Sequence, residues 1–219
     1  MSTAVEPRAD ELMIRPISPD DKEGLSRSFD RLSEQSRYRR FLSPHDRLSA
    51  AELRYFTEVD HHDHEALVAV DPRIPAGVGL ARYVRWKGDP QSAELAVAVV
   101  DDWQGKGVGT RLASALAKRA REEGISVFTA IVLADNDPML SLARELGDVR
   151  VLNRDRGTVE LAIELPETGS ARLIPLLRAV ASGKLLPRRP RGLPPASAPV
   201  PASPADEQQQ VTAWGTLFQ

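Results

Sequence analysis

The stretch Glu94–Asn136, ELAVAVVDDWQGKGVGTRLASALAKRAREEGISVFTAIVLADN, decides the fold. Ala93 to Val100 is an apolar run, too short for a typical helix and bounded by Pro90 and by Asp101-Asp102, so it reads as a strand. Gln104-Gly105-Lys106-Gly107-Val108-Gly109-Thr110 follows, and then a helical pattern with Leu112, Leu116 and Ala120 on one side. That helix, from about Gly107 to Glu123, ends at Gly124 as a glycine just past a helix would end it. Ile125–Leu133 is the next strand. Glycines at 105, 107 and 109 let the backbone come close to a ligand, because no Cβ stands in the way. A loop that empties into a helix N-terminus also aims unpaired N–H groups and the positive end of the helix dipole at one spot. Such a spot suits a phosphate or pyrophosphate.

The loop is not a P-loop, since Lys106 is followed by Gly107 rather than Ser or Thr. Nor is it a dinucleotide fingerprint, because Gly105, Gly107 and Gly109 give G-x-G-x-G and miss the third position. What it matches is Q-x-x-G-x-G, and in this it resembles the acyl-CoA pyrophosphate loop of the GNAT family of N-acetyltransferases. The flanks agree: Glu94 stands ten residues before Gln104, and Asn136 ends the next strand. Asn136-Asp137-Pro138-Met139 followed by Leu146-Gly147 is similar to that family's N-x-x-[AM]…L-G segment. The resemblance covers roughly residues 11 to 165.

The resemblance implies an α+β fold: a mixed, mostly antiparallel central sheet of about seven strands, flanked by helices, with two strands splayed at the acyl-CoA site. It implies acetyl-CoA as co-substrate and no metal. The backbone of Val97 and Val99 would hold the pantetheine arm. The N–H groups of Gln104, Gly105, Lys106, Gly107, Val108, Gly109 and Thr110 would hold the pyrophosphate, with Lys106 nearby as a point charge. Asn136 would contact the pantetheine; its other reading is a cap on the following helix. Glu94 would be the general base that takes a proton from the incoming amine; its other reading is a strand-end glutamate reaching solvent. Alternation puts Glu94 on one strand face with Ala96 and Ala98, small residues that leave room for an acyl group or an amine. One departure matters. Many family members carry a tyrosine where this chain has Ala143, and the three tyrosines, Tyr38, Tyr55 and Tyr83, all lie upstream of the loop. No tyrosine acid is assigned by match.

The 219 residues suffice for one full-sized domain with extensions. A net charge of −2 shows no basic bias of the kind nucleic-acid binders carry, so no nucleic-acid partner is expected. With no cysteine there is no disulfide, thiolate nucleophile or cysteine-based metal site. No apolar run approaches the ~20 residues that span a membrane, and the N-terminus lacks a signal-peptide pattern. The expectation is a soluble, cytoplasmic protein with no membrane partner.

In chain order, residues 1–10 read as a disordered leader and Glu11–Ile17 as a first strand. Ser18-Pro19 opens a helix with Leu25, Phe29 and Leu32 at helical spacing. A short helix holds SEQSRYRRF, whose Arg37, Arg39 and Arg40 read as a solvated face; the alternative is a surface that orients an acidic CoA or substrate. Ser49-Ala50-Ala51-Glu52 is a capping-box pattern. Asp60–Glu65, with three histidines, reads as a solvated loop or a lip of the substrate cleft rather than a metal site, since consecutive residues cannot all converge on one ion. Strands are expected at Glu65–Asp71, Gly77–Lys87, Val149–Asn153 and Thr158–Leu165, with a helix at Pro138–Leu146. Residues 167–186 include an amphipathic pattern (Leu173, Leu176, Leu177, Val180), and 187–219 form a proline-rich tail expected to be disordered, with an apolar end at Val211–Phe218.

The front end, LSEQSRYRRF with the Leu48–Leu53 segment and the ALVA strand, resembles a narrower branch, the bacterial protein-lysine acetyltransferases, many of which act on acyl-CoA synthetases. That implies a protein lysine as acceptor, an acyl-CoA synthetase being the substrate by analogy, on a catalytic domain without a fused regulator. A small amine as acceptor, or a non-catalytic acyl-CoA-binding sensor whose tail meets a partner, are the alternatives.

Overall fold

The computed structural model describes residues 11–74 and 76–166. The leader 1–10, the amphipathic segment 167–186 and the proline-rich tail lie outside them. Seven strands form one sheet in the order β1-β2-β3-β4-β5-β7-β6. They are β1 (Met13–Pro16), β2 (His64–Val70), β3 (Gly77–Trp86), β4 (Asp89–Val99), β5 (Val127–Leu133), β6 (Asp148–Asp155) and β7 (Thr158–Glu164). The helices are α1 (Lys22–Asp30), α2 (Glu34–Phe41), α3 (Ala50–Thr57), α4 (Val108–Glu122) and α5 (Asp137–Leu146). Every strand pairing is antiparallel except β4 with β5.

The expected helix at Ser18-Pro19 begins as a short 3-10 turn, Pro19–Asp21, before α1. The capping box at Ser49 forms as its residues suggest: Ser49 N donates to Glu52 Oε2 at 2.7 Å and Glu52 N to Ser49 Oγ at 3.2 Å. β4 starts at Asp89, earlier than its apolar run, because the hairpin from β3 turns at Lys87-Gly88 and the strand continues through Pro90. Pro90 is tolerated because it precedes the parallel pairing with β5, which begins at Ser92. The last hairpin turns on two residues, Arg156 (φ 41°) and Gly157 (φ 88°), the left-handed pair that matches strand twist.

Alternation along β4 divides its side chains between two faces. Ala93, Leu95, Val97 and Val99 belong to the core with Val108, Leu112 and Leu116 of α4. Gly79 of β3 makes this packing close: a Cβ there would stand 2.9 Å from Leu112 Cδ1. Glu94, Ala96 and Ala98 share the other face with their cross-strand partners Val84, Arg82 and Leu80. A cavity of about 240 Å³ opens on that side, lined by α1, α3 and the sheet, with Leu25, Phe29, Phe56, Leu80, Ala98 and Arg40 among its walls.

Candidate active site

The parallel pairing of β4 with β5 is short. It runs through Ser92–Val127, Ala93–Phe128 and Glu94–Thr129 and then ends, while β5 continues to pair with β7 as far as Leu133. From Leu95 to Val99, β4 is paired only to β3, and a fork opens with Glu94 at its apex. The direction of the free backbone groups follows from two bonds. Val100 N donates to Val78 O at 3.0 Å, so even-numbered residues face β3; Ser126 N donates to Gln91 O at 2.8 Å, so odd-numbered ones face β5. The main-chain groups of Leu95, Val97 and Val99 therefore line the open edge. The sequence indicated Val97 and Val99; Leu95, nearest the apex, joins them by register alone.

The glycine loop lies at the far end of that edge. Gly105 (φ 69°) and Gly107 (φ 78°) adopt the left-handed conformation that favours glycine, and Gly107 is the N-cap residue of α4 with no side-chain cap bond. The first-turn N–H groups of α4 have no carbonyl one turn back to receive them. Val108 anchors the turn in the core at 1% exposure, while Gly105, Lys106 and Gly107 are exposed. Lys106 Nζ lies 5.8 Å from the ring centre of buried Trp103.

Gln104 has a different place from its neighbours. Its N–H is used by Asp101 O at 3.1 Å. Its side-chain amide donates to Val99 O at 2.9 Å, Asp101 Oδ1 at 2.9 Å and Ser36 Oγ at 3.0 Å. Asp101 in turn accepts from Ser33 N at 2.5 Å and from Ser36 Oγ. Burial pushes the Asp101 carboxyl up, but the bonds from Ser36, Ser33 and Gln104 together hold it below the usual carboxylate range. Gln104 thus braces the loop against α2 and the end of β4. Thr110 Oγ1 donates to Glu145 Oε2 at 2.9 Å, which ties α4 to α5.

Asn136, 8% exposed, accepts from Met139 N at 3.3 Å through Oδ1 and caps α5. Ala143 is fully buried in the core, so that position presents nothing to the fork. Tyr83 is buried on the α4 side, donates to His62 O at 3.0 Å, and has its phenol pushed well above the usual range by burial and by Glu65 and Glu123. Tyr38 is exposed on α2.

Around Glu94, which is half-buried, the sheet assembles residues that the sequence reading did not connect. Trp86 Nε1 donates to Thr129 Oγ1 at 3.0 Å, so the indole reaches from β3 across β4 to β5 beside Glu94. On the other side, Arg82 is only 3% exposed; its guanidinium donates to Tyr55 Oη at 3.0 Å and stacks 4.6 Å from the Tyr55 ring centre and 5.1 Å from that of Phe56. Arg40 lies 5.0 Å from the Phe41 ring centre and 6.0 Å from that of Phe56. Burial first and then the charge of Arg82 pull Arg40 down, against the opposing effect of Glu94 and Tyr55, to about 9. It stays cationic at neutral pH. Arg82 is lowered by burial and supported by Tyr55 and Glu94.

The solvated face expected for the arginines of α2 is therefore wrong for two of them. Arg40 packs against aromatic rings on the Glu94 face, and Arg37 sits 4.6 Å from the Phe29 ring centre with Nη1 donating to Asp46 O at 3.0 Å. Helical periodicity could not show this, because two of the rings beside these arginines, Phe29 and Phe56, come from α1 and α3. A buried arginine in the middle of an apolar strand, Arg82 in GVGLARYVRW, is the signal that could have been read.

The histidine-rich segment forms a loop closed on Asp60, whose Oδ1 accepts the N–H groups of His62 (2.9 Å), Asp63 (2.9 Å) and His64 (2.8 Å). His61 Nδ1 lies 2.8 Å from Glu65 Oε1, and His62 Nδ1 lies 2.5 Å from Glu123 Oε2. No group of three or more ligating side chains is placed to hold a metal among the described residues. Nor is any helix among them long and apolar enough to cross a membrane.

The comparisons with known proteins bear on the family and the fold. A family model described as the acetyltransferase (GNAT) family matches residues 29–148. Acetyltransferase Pat of Mycolicibacterium smegmatis is 35% identical over 153 residues, which are 70% of this chain and 45% of that protein. An acetyltransferase of Pseudomonas aeruginosa is 31% identical over 150 residues, 67% of this chain and 80% of its own. The crystal structure of the GNAT domain of S. lividans PAT superposes with a TM-score of 0.65 at 34% identity, covering 70% of this chain and 90% of that one. The chain spans less than half the length of the M. smegmatis protein. By family match, by fold and by the forked sheet with its glycine loop, the chain belongs to the acetyltransferase (GNAT) family, enzymes that draw their acetyl group from acetyl-CoA.

Proposed function

We propose that the chain moves the acetyl group of acetyl-CoA to the amine of a protein lysine side chain, with Glu94 as general base. The observation that carries this reading is the position of Glu94 at the apex of the fork. The N–H groups of residues 105 to 110 take the diphosphate, braced by Gln104, and Lys106 adds a positive charge at that end. The pantetheine arm runs along the open edge of β4 toward the apex, hydrogen-bonded to Val99 and Val97, and the Leu95 N–H reaches the thioester oxygen. Asn136 caps α5 through its oxygen, which leaves its NH₂ for the pantetheine.

An alkylammonium is no nucleophile, and a free lysine amine has a pKa near ~10.4, so a proton leaves first. Glu94 receives it, directly or through a water. The nitrogen lone pair then attacks the thioester carbon, and the C–O π electrons move onto the oxygen beside Leu95 N–H. When the carbonyl re-forms, the C–S bond breaks; the CoA thiolate, a tolerable leaving group with thiol pKa values near ~8.5, takes a proton from water. No tyrosine is assigned to that step by the family match, since Ala143 stands at the family's usual position.

The lysine reading is supported by the likeness of the LSEQSRYRRF front end to protein-lysine acetyltransferases and by the open rim of the site. Trp86 (38% exposed) on β3 and Ile131 (48%) on β5 are open to solvent. The test is thiol release from acetyl-CoA with lysine-bearing proteins, among them an acyl-CoA synthetase, and with free amines. Release with the proteins and its loss in Glu94→Gln are expected. Release with small amines alone would replace the acceptor, and binding of acetyl-CoA without release would make the chain a sensor.

A further inference from the structure

The glycine loop is anchored in the core at its two ends, by Trp103 and Val108, but packing does little to hold its shape between them. Gly105 and Gly107 sit at positive φ where a Cβ would meet nothing within 4 Å, so neither is fixed by its neighbours. A loop that grips an anion through main-chain N–H groups binds best when those groups already point at one spot, because ordering them on binding costs affinity. The side chain of Gln104 is the tie at the start of this stretch, and it is held in turn. Its amide donates to Val99 O at 2.9 Å, to Asp101 Oδ1 at 2.9 Å and to Ser36 Oγ at 3.0 Å. Ser36 gives its own hydroxyl proton to Asp101, which leaves the Ser36 oxygen free to accept from Gln104. Ser33, the N-cap residue of α2, donates its N–H to Asp101 Oδ2 at 2.5 Å. Gln104, Ser36 and Asp101 thus close a ring of hydrogen bonds between the loop and the first turn of α2. Asp101 is the member whose presence needs a reason: a carboxylate beside a loop that takes a diphosphate repels the ligand, so its charge alone works against the site. What it supplies is the set of acceptors that closes the ring.

We propose that Asp101 is a positioning residue for the acyl donor: with Ser36 it holds Gln104, and through Gln104 it fixes the direction of the main-chain N–H groups that take the CoA diphosphate. The anchor of the donor site is then the first turn of α2, thirty-odd positions earlier in the chain than the β4 strand end it braces. The inference rests on reading the glycine loop as the diphosphate site and goes beyond it, naming side chains outside the loop that set its affinity. It also fixes the sign of an effect. Neutralising Asp101 removes a repulsion from the bound diphosphate, which by charge alone would tighten binding, whereas opening the ring loosens the loop and weakens it. The hydrogen bonds that Asp101 accepts from two serines and an amide act together, so losing one partner also costs the alignment of the others.

The experiment is calorimetric titration of CoA into the protein and its variants, with a thermal melt of each to report folding. Asp101→Asn should bind CoA about tenfold more weakly despite the lost negative charge. Ser36→Ala should weaken CoA by about threefold to tenfold, and Ser36→Thr, which keeps the hydroxyl, should stay within about twofold of the wild type. A double-mutant cycle separates positioning from a general loosening: in a Gln104→Ala background Ser36→Ala should cost no further affinity, because Ser36 acts through Gln104. Should Asp101→Asn fail to fold, the Ser36 series and the cycle decide. Tighter or unchanged CoA binding in a folded Asp101→Asn would overturn the proposal, as would wild-type affinity in Ser36→Ala or full additivity in the cycle. Failure of the underlying reading looks different. Weaker binding in Gly107→Val with wild-type affinity in the Asp101 and Ser36 variants strikes only the positioning role, whereas wild-type affinity in Gly107→Val as well takes the diphosphate off this loop and the positioning role with it.

Discussion

At the scale of the residue, Glu94 carries the heaviest claim. Glu94→Gln removes the proton acceptor and leaves the shape, so kcat/KM should fall by about 10²–10⁴ at neutral pH. The deficit should shrink as pH rises toward the pKa of the amine, because the free amine then needs no base; a pH–rate profile parallel to the wild type would remove Glu94 from the mechanism. Gly107 makes a second claim. A Cβ there would meet nothing within 4 Å, so a side chain is penalised by the left-handed backbone (φ 78°) rather than by crowding within the protein. Gly107→Val should weaken acetyl-CoA binding and cost the fold at least the ~1–2 kcal/mol of a non-glycine residue in that conformation; unchanged affinity by calorimetry would contradict the placing of the diphosphate. Glu94 and the glycines were legible because the motif is local. Arg82, Tyr55 and Trp86 were not, since what they touch depends on strand register and on a helix whose Tyr55 lies 27 residues from Arg82.

At the scale of the element, the strands and helices followed from periodicity and punctuation: apolar runs gave β2 to β5, Ser49 and Glu52 gave the start of α3, and Gly124 gave the end of α4. Gly147 shows what punctuation alone does not tell. It ends α5, but with φ at 177° it is extended, and the reason for glycine is contact: a Cβ would fall 1.9 Å from Glu164 O of β7. Gly147→Ala should therefore force β7 and the helix end apart, lowering urea stability by more than ~2 kcal/mol; a change under 0.5 kcal/mol would mean the approach relaxes freely. Asn136 serves two elements. Asn136→Asp keeps the acceptor that caps α5 and removes the NH₂, so the melting temperature should hold while acetyl-CoA affinity falls several-fold. Equal affinity would confine Asn136 to its cap.

At the scale of the whole molecule, the sheet brings a charged and aromatic compartment together on one face, and its stability depends on pH. Burial and the charge of Arg82 pull His64 down to about 4, against the partial support of Asp60. The unfolded chain takes up that proton near the ordinary value of about 6.5. Between those values the unfolded state binds more protons, so acidification favours unfolding, and the stabilisation by neutral His64 is full above pH ~6.5 and lost by pH ~4. Thermal melts from pH 7 to 4 should show a fall that is shallower in His64→Gln; parallel curves would mean the imidazole is not held neutral. The overall topology was legible through family resemblance, whereas the fork itself is a property of two strands diverging after Glu94–Thr129, which no single stretch of sequence displays.

The most direct measurement is a crystal structure of the protein with acetyl-CoA. The account predicts the diphosphate within about 2.7–3.2 Å of main-chain nitrogens between Gly105 and Thr110, the pantetheine along the open edge of β4, and the thioester carbon beside Glu94. Acetyl-CoA bound elsewhere, or in the fork with its thioester on the far side of the sheet from Glu94, would contradict it.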